Sequence, residues 1–182
     1  MKHFALILII FGVLWLLLGG YYFGLTHNPN RLAFADYKES QKHEQSKHKA
    51  STPTRLIIPA VTIDLPIVSA EIRNSLWDTT NNGASYLTSS PIPGEKGNSI
   101  IYGHNWASLF GPLMYIKPGE KVQIIYADGT RKTFTIEYTS TVSANEGSIL
   151  NQTTDKRITL YTCAGWFDSK RFVVVAILDE HH

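Results

Sequence analysis

Two β-branched segments near the C-terminus, RITLYTC at residues 157–163 and RFVVVAIL at 171–178, flank the seven residues AGWFDSK. Side chains of a β-strand point alternately to opposite faces, so Cys163 and Thr162 are expected on different faces of the first segment. The glycine and aspartate between the segments are typical of a turn. The sequence therefore predicts an antiparallel hairpin in which Cys163 and Arg171 lie opposite each other at the base of the loop.

Cys163 is the only cysteine of the chain, and His104 is the only one of its seven histidines inside the predicted folded domain. The other histidines lie beside the apolar N-terminal segment, in a polar linker or at the end of the chain: His3, His27, His43, His48, His181 and His182. Thiol–imidazole chemistry can therefore use only the pair Cys163 and His104.

An arginine is available to the same pair. Directly opposed residues of two strands have Cβ atoms about 4.5–5.5 Å apart, so Arg171 can reach the surroundings of the thiol. Arg157 shares the face of Cys163 but lies six residues back, roughly 20 Å away. Cysteine, histidine and arginine together are the parts of a cysteine acyl-transferase. The ordinary alternative is a buried structural cysteine, a loop histidine and a solvated arginine.

The N-terminus contains an apolar run, FALILIIFGVLWLLLGGYYFGL at residues 4–25, which has no charged side chain. As a helix it would span roughly 33 Å, enough to cross a hydrocarbon core of about 30 Å. A cleaved signal peptide is the alternative, since Ala33-Phe34-Ala35 imitates a cleavage site. That triplet lies eight residues past the run, however, and the apolar part of a signal peptide is only about 7–15 residues long. We therefore predict an uncleaved transmembrane anchor over residues 4–25.

The polar regions around this anchor predict its topology. A short tail, residues 1–3, precedes the anchor and a large polar domain follows it, which favours a single-pass protein of the cell membrane with a cytoplasmic N-terminus and an extracellular domain. Residues 26–53 are predicted to form a flexible polar linker, because YKESQKHEQSKHKASTP at 37–53 has no apolar period. A net charge of +2 and a charged fraction of 18% give no reason to expect nucleic acid as a partner.

The remaining chain, residues 54–182, alternates short β-branched segments with turn residues, among them Asp128-Gly129, a strong hairpin signal. The predicted strands are 55–59, 61–68, 98–103, 121–127, 131–138, 157–163 and 171–178. Residues 106–116 and 145–152 are predicted to be short helices or turns. Many short strands and few helices indicate an all-β barrel or sandwich.

The segment Thr159 to Cys163 resembles the TLxTC signature of the sortase family, and Arg171 stands where that family has its arginine. Ile101-Tyr102-Gly103-His104 is similar to the stretch that ends in the sortase histidine. The resemblance extends over residues 54–178 and implies an eight-stranded β-barrel with short helices. An N-terminal membrane anchor is also what sortases have.

The resemblance implies a two-step transpeptidation of proteins that carry an LPxTG-like C-terminal sorting signal. Cys163 would attack the carbonyl of the threonine in the signal, and an amine on a peptidoglycan precursor or a pilin lysine would resolve the thioacyl enzyme. His104 would transfer protons, and Arg171 would bind the oxyanion or orient the peptide. No cofactor and no metal are expected, because the acidic residues that bind calcium in some sortases have no counterpart here.

Several alternatives remain open at this stage. Water instead of an amine could resolve the thioester, which would make the protein a cysteine hydrolase. A membrane-tethered β-barrel without catalytic activity could bind peptides or wall polymer. The region between Tyr37 and Pro53 has no Asp-Pro-aromatic lid motif and no membrane span follows Leu178, which argues against a pilus-polymerising subclass. Trp106 and Trp166 are expected to pack in the core, with the walls of a substrate groove as their alternative role.

Overall fold

The computed structural model describes residues 2–26, 29–34, 37, 51–73 and 76–180. Its helix and strands are α1 (Lys2–Thr26), β1 (Pro53–Ile58), β2 (Ile63–Ala70), β3 (Ile72–Arg73), β4 (Leu76–Trp77), β5 (Ala84–Leu87), β6 (Gly97–Tyr102), β7 (Lys121–Tyr126), β8 (Arg131–Ser143), β9 (Lys156–Ala164) and β10 (Lys170–Leu178). Single turns of 3₁₀-helix occur at Pro29–Leu32, Pro59–Val61, Gly111–Tyr115, Gly147–Leu150 and Trp166–Asp168.

Eight strands close a barrel in the order β1-β2-β5-β6-β9-β10-β8-β7, and β3 and β4 form a separate two-stranded sheet. The predicted all-β fold is confirmed, and of its two forms the barrel is correct. The predicted hairpin at Asp128-Gly129 joins the antiparallel strands β7 and β8. Gly129 has a φ of 83°, a conformation that glycine adopts without steric cost.

One barrel strand, β5, was not predicted. Its four residues ASYL are small or polar except at the end, so they carry no apolar run that would mark a strand. The strand exists because its backbone pairs in parallel with β2, with Ala84 opposite Ile67, and antiparallel with β6. Such pairings between distant segments leave no local signal in the sequence.

The buried apolar side chains form two clusters that lie on opposite faces of the sheet. The cluster inside the barrel receives side chains from all eight strands, including Ile158 and Leu160 of β9. The second cluster lies on the outer face of β6, β9 and β10 and includes Tyr161 and Cys163. The alternation predicted for this strand is therefore confirmed, and the cysteine belongs to the outside of the barrel wall.

The N-terminal helix α1 contains a candidate membrane span at His3–Leu25, and none of its most apolar window is buried against the rest of the protein. The helix fits a membrane anchor. Its topology stays a prediction.

The residues that follow the helix differ from the flexible linker predicted over 26–53. Residues 29–34, which we call the strap, cross the outer face of the barrel, and Leu32 and Phe34 are buried there. These two apolar side chains can be buried against the second cluster, which the polar residues further along the linker cannot do. Residues 38–50 lie outside the described part of the chain.

Candidate active site

Cys163 and Arg171 lie at the hairpin between β9 and β10. The two residues are direct partners in the antiparallel register, as predicted. Cys163 is fully buried and Arg171 is 3% exposed. The Arg171 guanidinium donates through Nη1 to the backbone oxygens of Asp168 at 2.7 Å and of Lys170 at 3.0 Å, which closes the loop around it.

His104 is brought to the same place by the parallel pairing of β6 with β9. The last pair in this register is Tyr102 with Tyr161, and beyond it the Gly103 backbone N–H still donates to the Tyr161 oxygen at 3.3 Å. If this register continued for two more residues, His104 would lie beside Cys163, at about one strand spacing of 4.8 Å. The structure thus places Cys163 and Arg171 opposite each other and His104 two residues beyond the end of the neighbouring strand β6, and the catalytic roles of all three stay predictions.

The orientation of His104 is supported by its neighbours. The imidazole is buried and stacks on the Trp106 ring, with ring centroids 4.6 Å apart and an angle of 11° between the planes. Thr162 faces away from Cys163, as predicted, and its Oγ1 donates to the Gly103 oxygen at 2.7 Å. Thr162 therefore fixes the backbone just before the histidine instead of touching the thiol.

The strap covers the thiol and the guanidinium directly. The Cys163 Sγ donates to the Arg31 backbone oxygen at 3.1 Å, and Arg171 Nη2 donates to the Ala33 backbone oxygen at 2.8 Å. Phe34 meets the edge of Tyr161 with ring centroids 5.0 Å apart, and the Arg171 guanidinium lies 5.6 Å from the Phe34 ring centre. Two backbone carbonyls of the strap thus accept hydrogen bonds from the thiol and from the guanidinium.

A second arginine, Arg31 of the strap, ties the strap to the loop after Cys163. Its Nη2 donates to Asp168 Oδ1 at 2.7 Å, and its Nε donates to Asp168 Oδ2 in the same forked pair. Nη2 also contacts Asn105 Oδ1 at 3.2 Å, next to the histidine. The Arg31 side chain is only 6% exposed, so the pair is shielded from water and helps to hold the strap over the site.

The electrostatics of the covered site favour the neutral thiol. Burial is the main cause that raises the pKa of Cys163 to about 11, and the negative charge of Asp168 raises the pKa further. The positive charges of Arg171 and Arg31 lower the pKa but do not cancel the effect of burial. Near neutral pH the thiol is therefore protonated while the strap is seated. Because a thiolate is far more reactive than a thiol, this arrangement, which we call the closed form, holds Cys163 in its less reactive state.

Three residues of the site were missed or misjudged from the sequence. Arg31 lies 132 residues before the cysteine, and no local pattern links the two. Asp168 was interpreted only as a turn residue. Trp166 is 86% exposed, so its predicted core role is wrong. Trp106, in contrast, packs against the barrel core as predicted and also stacks on the histidine.

Among the described residues, no group of three or more His, Cys, Asp or Glu side chains could hold a metal ion. The expectation that the protein needs no metal and no cofactor stays a prediction.

A closed eight-stranded barrel with a cysteine, a histidine and an arginine at the ends of adjacent strands is the architecture of a sortase-type β-barrel. The sequence model of the Sortase domain matches residues 56–179, and the chain therefore belongs to the sortase family. Sortase A of Listeria monocytogenes is 32% identical over 130 residues, which cover 66% of this chain and 58% of that protein. This chain thus spans little more than half the length of that relative.

Solved structures agree with this assignment. The crystal structure of Listeria monocytogenes sortase A superposes with a TM-score of 0.57 at 29% identity, covering 72% of this chain and 88% of that one. Sortase A from Corynebacterium diphtheriae superposes with a TM-score of 0.63 at 22% identity, covering 86% of this chain and 80% of that one. The second match supports the fold alone.

Proposed function

We propose that this protein is a membrane-anchored cysteine transpeptidase that cleaves LPxTG-like C-terminal sorting signals and transfers the cleaved protein to an amine. The observation that carries the proposal is that the only cysteine is paired with Arg171 and lies next to the end of β6, two residues before His104, in a barrel of the sortase family. The acceptor is an amine of a peptidoglycan precursor or a pilin lysine. The substrates are secreted proteins, which suits an extracellular domain on a membrane anchor.

In the first step the Cys163 thiolate attacks the carbonyl carbon of the threonine in the signal. The peptide C–N bond breaks, His104 as imidazolium protonates the leaving amine, and a thioester remains on Cys163. In the second step the acceptor amine attacks the thioester and loses its proton to neutral His104. The C–S bond breaks, and the thiolate and the imidazolium are restored together.

Arg171 is proposed to donate to the oxyanion that forms in both steps, or to orient the signal peptide. Its Nη2 already donates to a backbone carbonyl of the strap at 2.8 Å, which supports an ability to bind a peptide oxygen beside the thiol. Its buried Nε has no hydrogen-bond partner among the described residues, so a further donor is available to a substrate. A fixed donor of this kind commonly contributes about 3–4 kcal/mol in acyl transfer.

The substrate can reach Cys163 only after the strap has left. The thiol is fully buried beneath it, and both strap carbonyls at the site would clash with a peptide bound in the same place. Departure of the strap would also return water to the thiol and so lower its pKa from about 11. Opening of the strap is therefore part of the proposed cycle.

Replacing Arg171 with alanine or methionine is expected to lower kcat/KM for transfer about 10²–10³-fold, because a donor to the oxyanion is lost. The same change removes the hydrogen bond to Ala33 and should loosen the strap, so alkylation of Cys163 by iodoacetamide should become faster. Since a damaged fold would also expose the buried thiol, a thermal unfolding midpoint close to that of the wild-type protein is what distinguishes a role in the reaction from general damage. Arg157→Ala is the matched control, since this arginine pairs with Asp155 two residues away in the chain. Transfer at the wild-type rate by both Arg171 variants would exclude the proposed role.

The test of the proposed function is intact-mass spectrometry of the full chain in detergent micelles, incubated with sorting-signal peptides with and without an added amine. We expect a peptide adduct on Cys163 that is released as a peptide–amine product. Release only as the free acid, with every amine tried, would favour the cysteine hydrolase. No adduct with any signal variant would refute the enzyme and favour a binding module.

A further inference from the structure

Two large aromatic side chains are held side by side on the surface in the turn after β9. Trp166 is 86% exposed and Phe167 is 74% exposed, and their ring centroids are 6.3 Å apart. Soluble proteins rarely leave adjacent large aromatic residues in water, and such a patch marks an interaction surface. Tryptophan in particular is enriched at the boundary between membrane and water.

The backbone of this turn is fixed in the conformation that exposes the pair. Gly165, Phe167 and Asp168 have φ angles of 74°, 50° and 59°, a region that residues other than glycine seldom adopt. Asp168 is held at its carboxylate by Arg31 and at its backbone oxygen by Arg171, at 2.7 Å. The exposure of Trp166 and Phe167 is therefore a built feature of the loop.

The turn lies close to the end of the membrane-anchor helix. Tyr22 and Leu25, in the last turns of α1, line one cavity of about 840 Å³ together with Trp166 and Phe167. The chain connecting them is also short, since only five peptide steps separate Thr26, which ends α1, from Arg31, which is bound to the turn. Five steps reach at most about 18 Å, so the turn stays near the level at which the helix leaves the bilayer.

We infer that the Trp166–Phe167 turn is a membrane-docking site, and that its partner is the headgroup and upper acyl region of the bilayer in which α1 is anchored. Lys170 is exposed at the start of β10 and adds a cation where anionic headgroups would lie. Cys163 is three residues before Trp166, so docking holds the active-site face against the membrane. The inference depends on the anchoring of α1 and not on the chemistry of the thiol.

The experiment measures tryptophan fluorescence of the full chain reconstituted in phosphatidylcholine–phosphatidylglycerol vesicles, with and without lipids brominated near the top of the acyl chains. All variants carry Trp15→Phe, which removes the tryptophan inside α1. The emission of Trp166 is the difference between this protein and its Trp166→Phe derivative. In vesicles, we expect the emission of Trp166 to lie at shorter wavelength than the emission of a tryptophan exposed to water. Brominated lipid should quench most of this emission, and aqueous acrylamide should quench little of it.

The matched control puts a tryptophan at the other end of the barrel. β8 ends beside the start of β10, where Ser143 pairs with Lys170, so β8 begins at the opposite end, next to the exposed Ala127. Ala127→Trp in the Trp166→Phe background is expected to be quenched by acrylamide and unaffected by brominated lipid. Equal lipid quenching at both positions would overturn the inference, because the barrel would then have no preferred orientation.

Three further results would also overturn it. If Trp166 is quenched by acrylamide in vesicles as readily as the tryptophan of the Ala127→Trp variant, the turn points into water. If Trp166 is protected in detergent micelles in a manner that depends on protein concentration, the patch binds a second copy of the chain instead of lipid. Release of the protein from the vesicles at alkaline pH would show that α1 is not an anchor, and the inference would fail with it while the proposed transpeptidation would stand.

Discussion

Replacement of Cys163 by alanine is expected to abolish both the peptide adduct and the peptide–amine product. The chain has no second thiol that could substitute, and loss of the nucleophile in other acyl-transfer enzymes lowers the rate by a factor on the order of 10⁴ or more. The change should leave the fold intact, because alanine fills most of the space of this small buried side chain on the outer face of β9. Intact-mass spectrometry and product chromatography, with the thermal unfolding midpoint as a check on folding, measure the effect.

Cys163→Ser is the companion variant, since it keeps the size of the side chain but replaces the thiol by a much weaker nucleophile. We expect it to be as inactive as the alanine variant. Product formation by either variant at the wild-type rate would mean that Cys163 is the structural cysteine of the ordinary interpretation and that the site acts elsewhere or not at all.

Opening the strap is expected to produce the second large effect, an increase in the reactivity of Cys163. Leu32→Asn combined with Phe34→Asn removes the two buried apolar side chains that hold the strap to the barrel. With the strap seated, burial raises the pKa of the thiol from 9.0 to about 11. Loss of that shift would increase the thiolate fraction near neutral pH about 100-fold, a free-energy difference of about 2.7 kcal/mol. The rate constant of alkylation by iodoacetamide should rise by at least this factor, since access improves as well.

The same shift makes closure of the strap dependent on pH. A thiol whose pKa is higher in the closed form binds its proton more tightly there, so protonation favours closure. This contribution is fully present below the pKa of the open form, near 9, and is lost as the pH rises through about 11. In the wild-type protein, alkylation should therefore rise more steeply with pH across this window than it does in the open variant.

Met114→Asn combined with Tyr115→Asn is the matched control for the strap variant. Both side chains lie on the surface in another 3₁₀ turn, so the pair makes the same change from apolar to polar away from the strap. We expect wild-type reactivity from this control. A folded strap variant whose thiol is as slow to react as in the wild-type protein would show that something other than the strap protects Cys163.

The hairpin of β9 and β10 could be predicted from the sequence because its information is local. Alternation along RITLYTC assigned Cys163 and Thr162 to opposite faces, and a seven-residue loop with a glycine made Arg171 the partner of the cysteine. Both results follow from the period of two in a β-strand and from pairing between neighbouring segments. The apolar run at residues 4–25 is equally local, since length and composition alone make it a candidate span.

The position of His104 needed more than the local pattern. Its motif could be recognised, but its place beside the thiol depends on parallel pairing of β6 with β9, whose paired residues are 59 positions apart, as in Tyr102 and Tyr161. The four-residue strand β5 likewise exists through its partners β2 and β6 and not through its own composition.

By itself, the sequence determined the class of fold, the candidate catalytic residues and the apolar N-terminal helix, because strand alternation, hairpin pairing and apolar length act between neighbours in the chain. Only the tertiary structure decided that the site is closed. Arg31 contacts Asp168, and the strap carbonyls contact Cys163 and Arg171; these contacts join segments more than 130 residues apart. The exposure of Trp166 depends on which part of the surface the folded chain leaves uncovered. Such contacts form when apolar side chains that are distant in sequence, here Leu32 and Phe34, pack against a complementary surface of the folded barrel. No pattern within the strap or within a single strand specifies that surface.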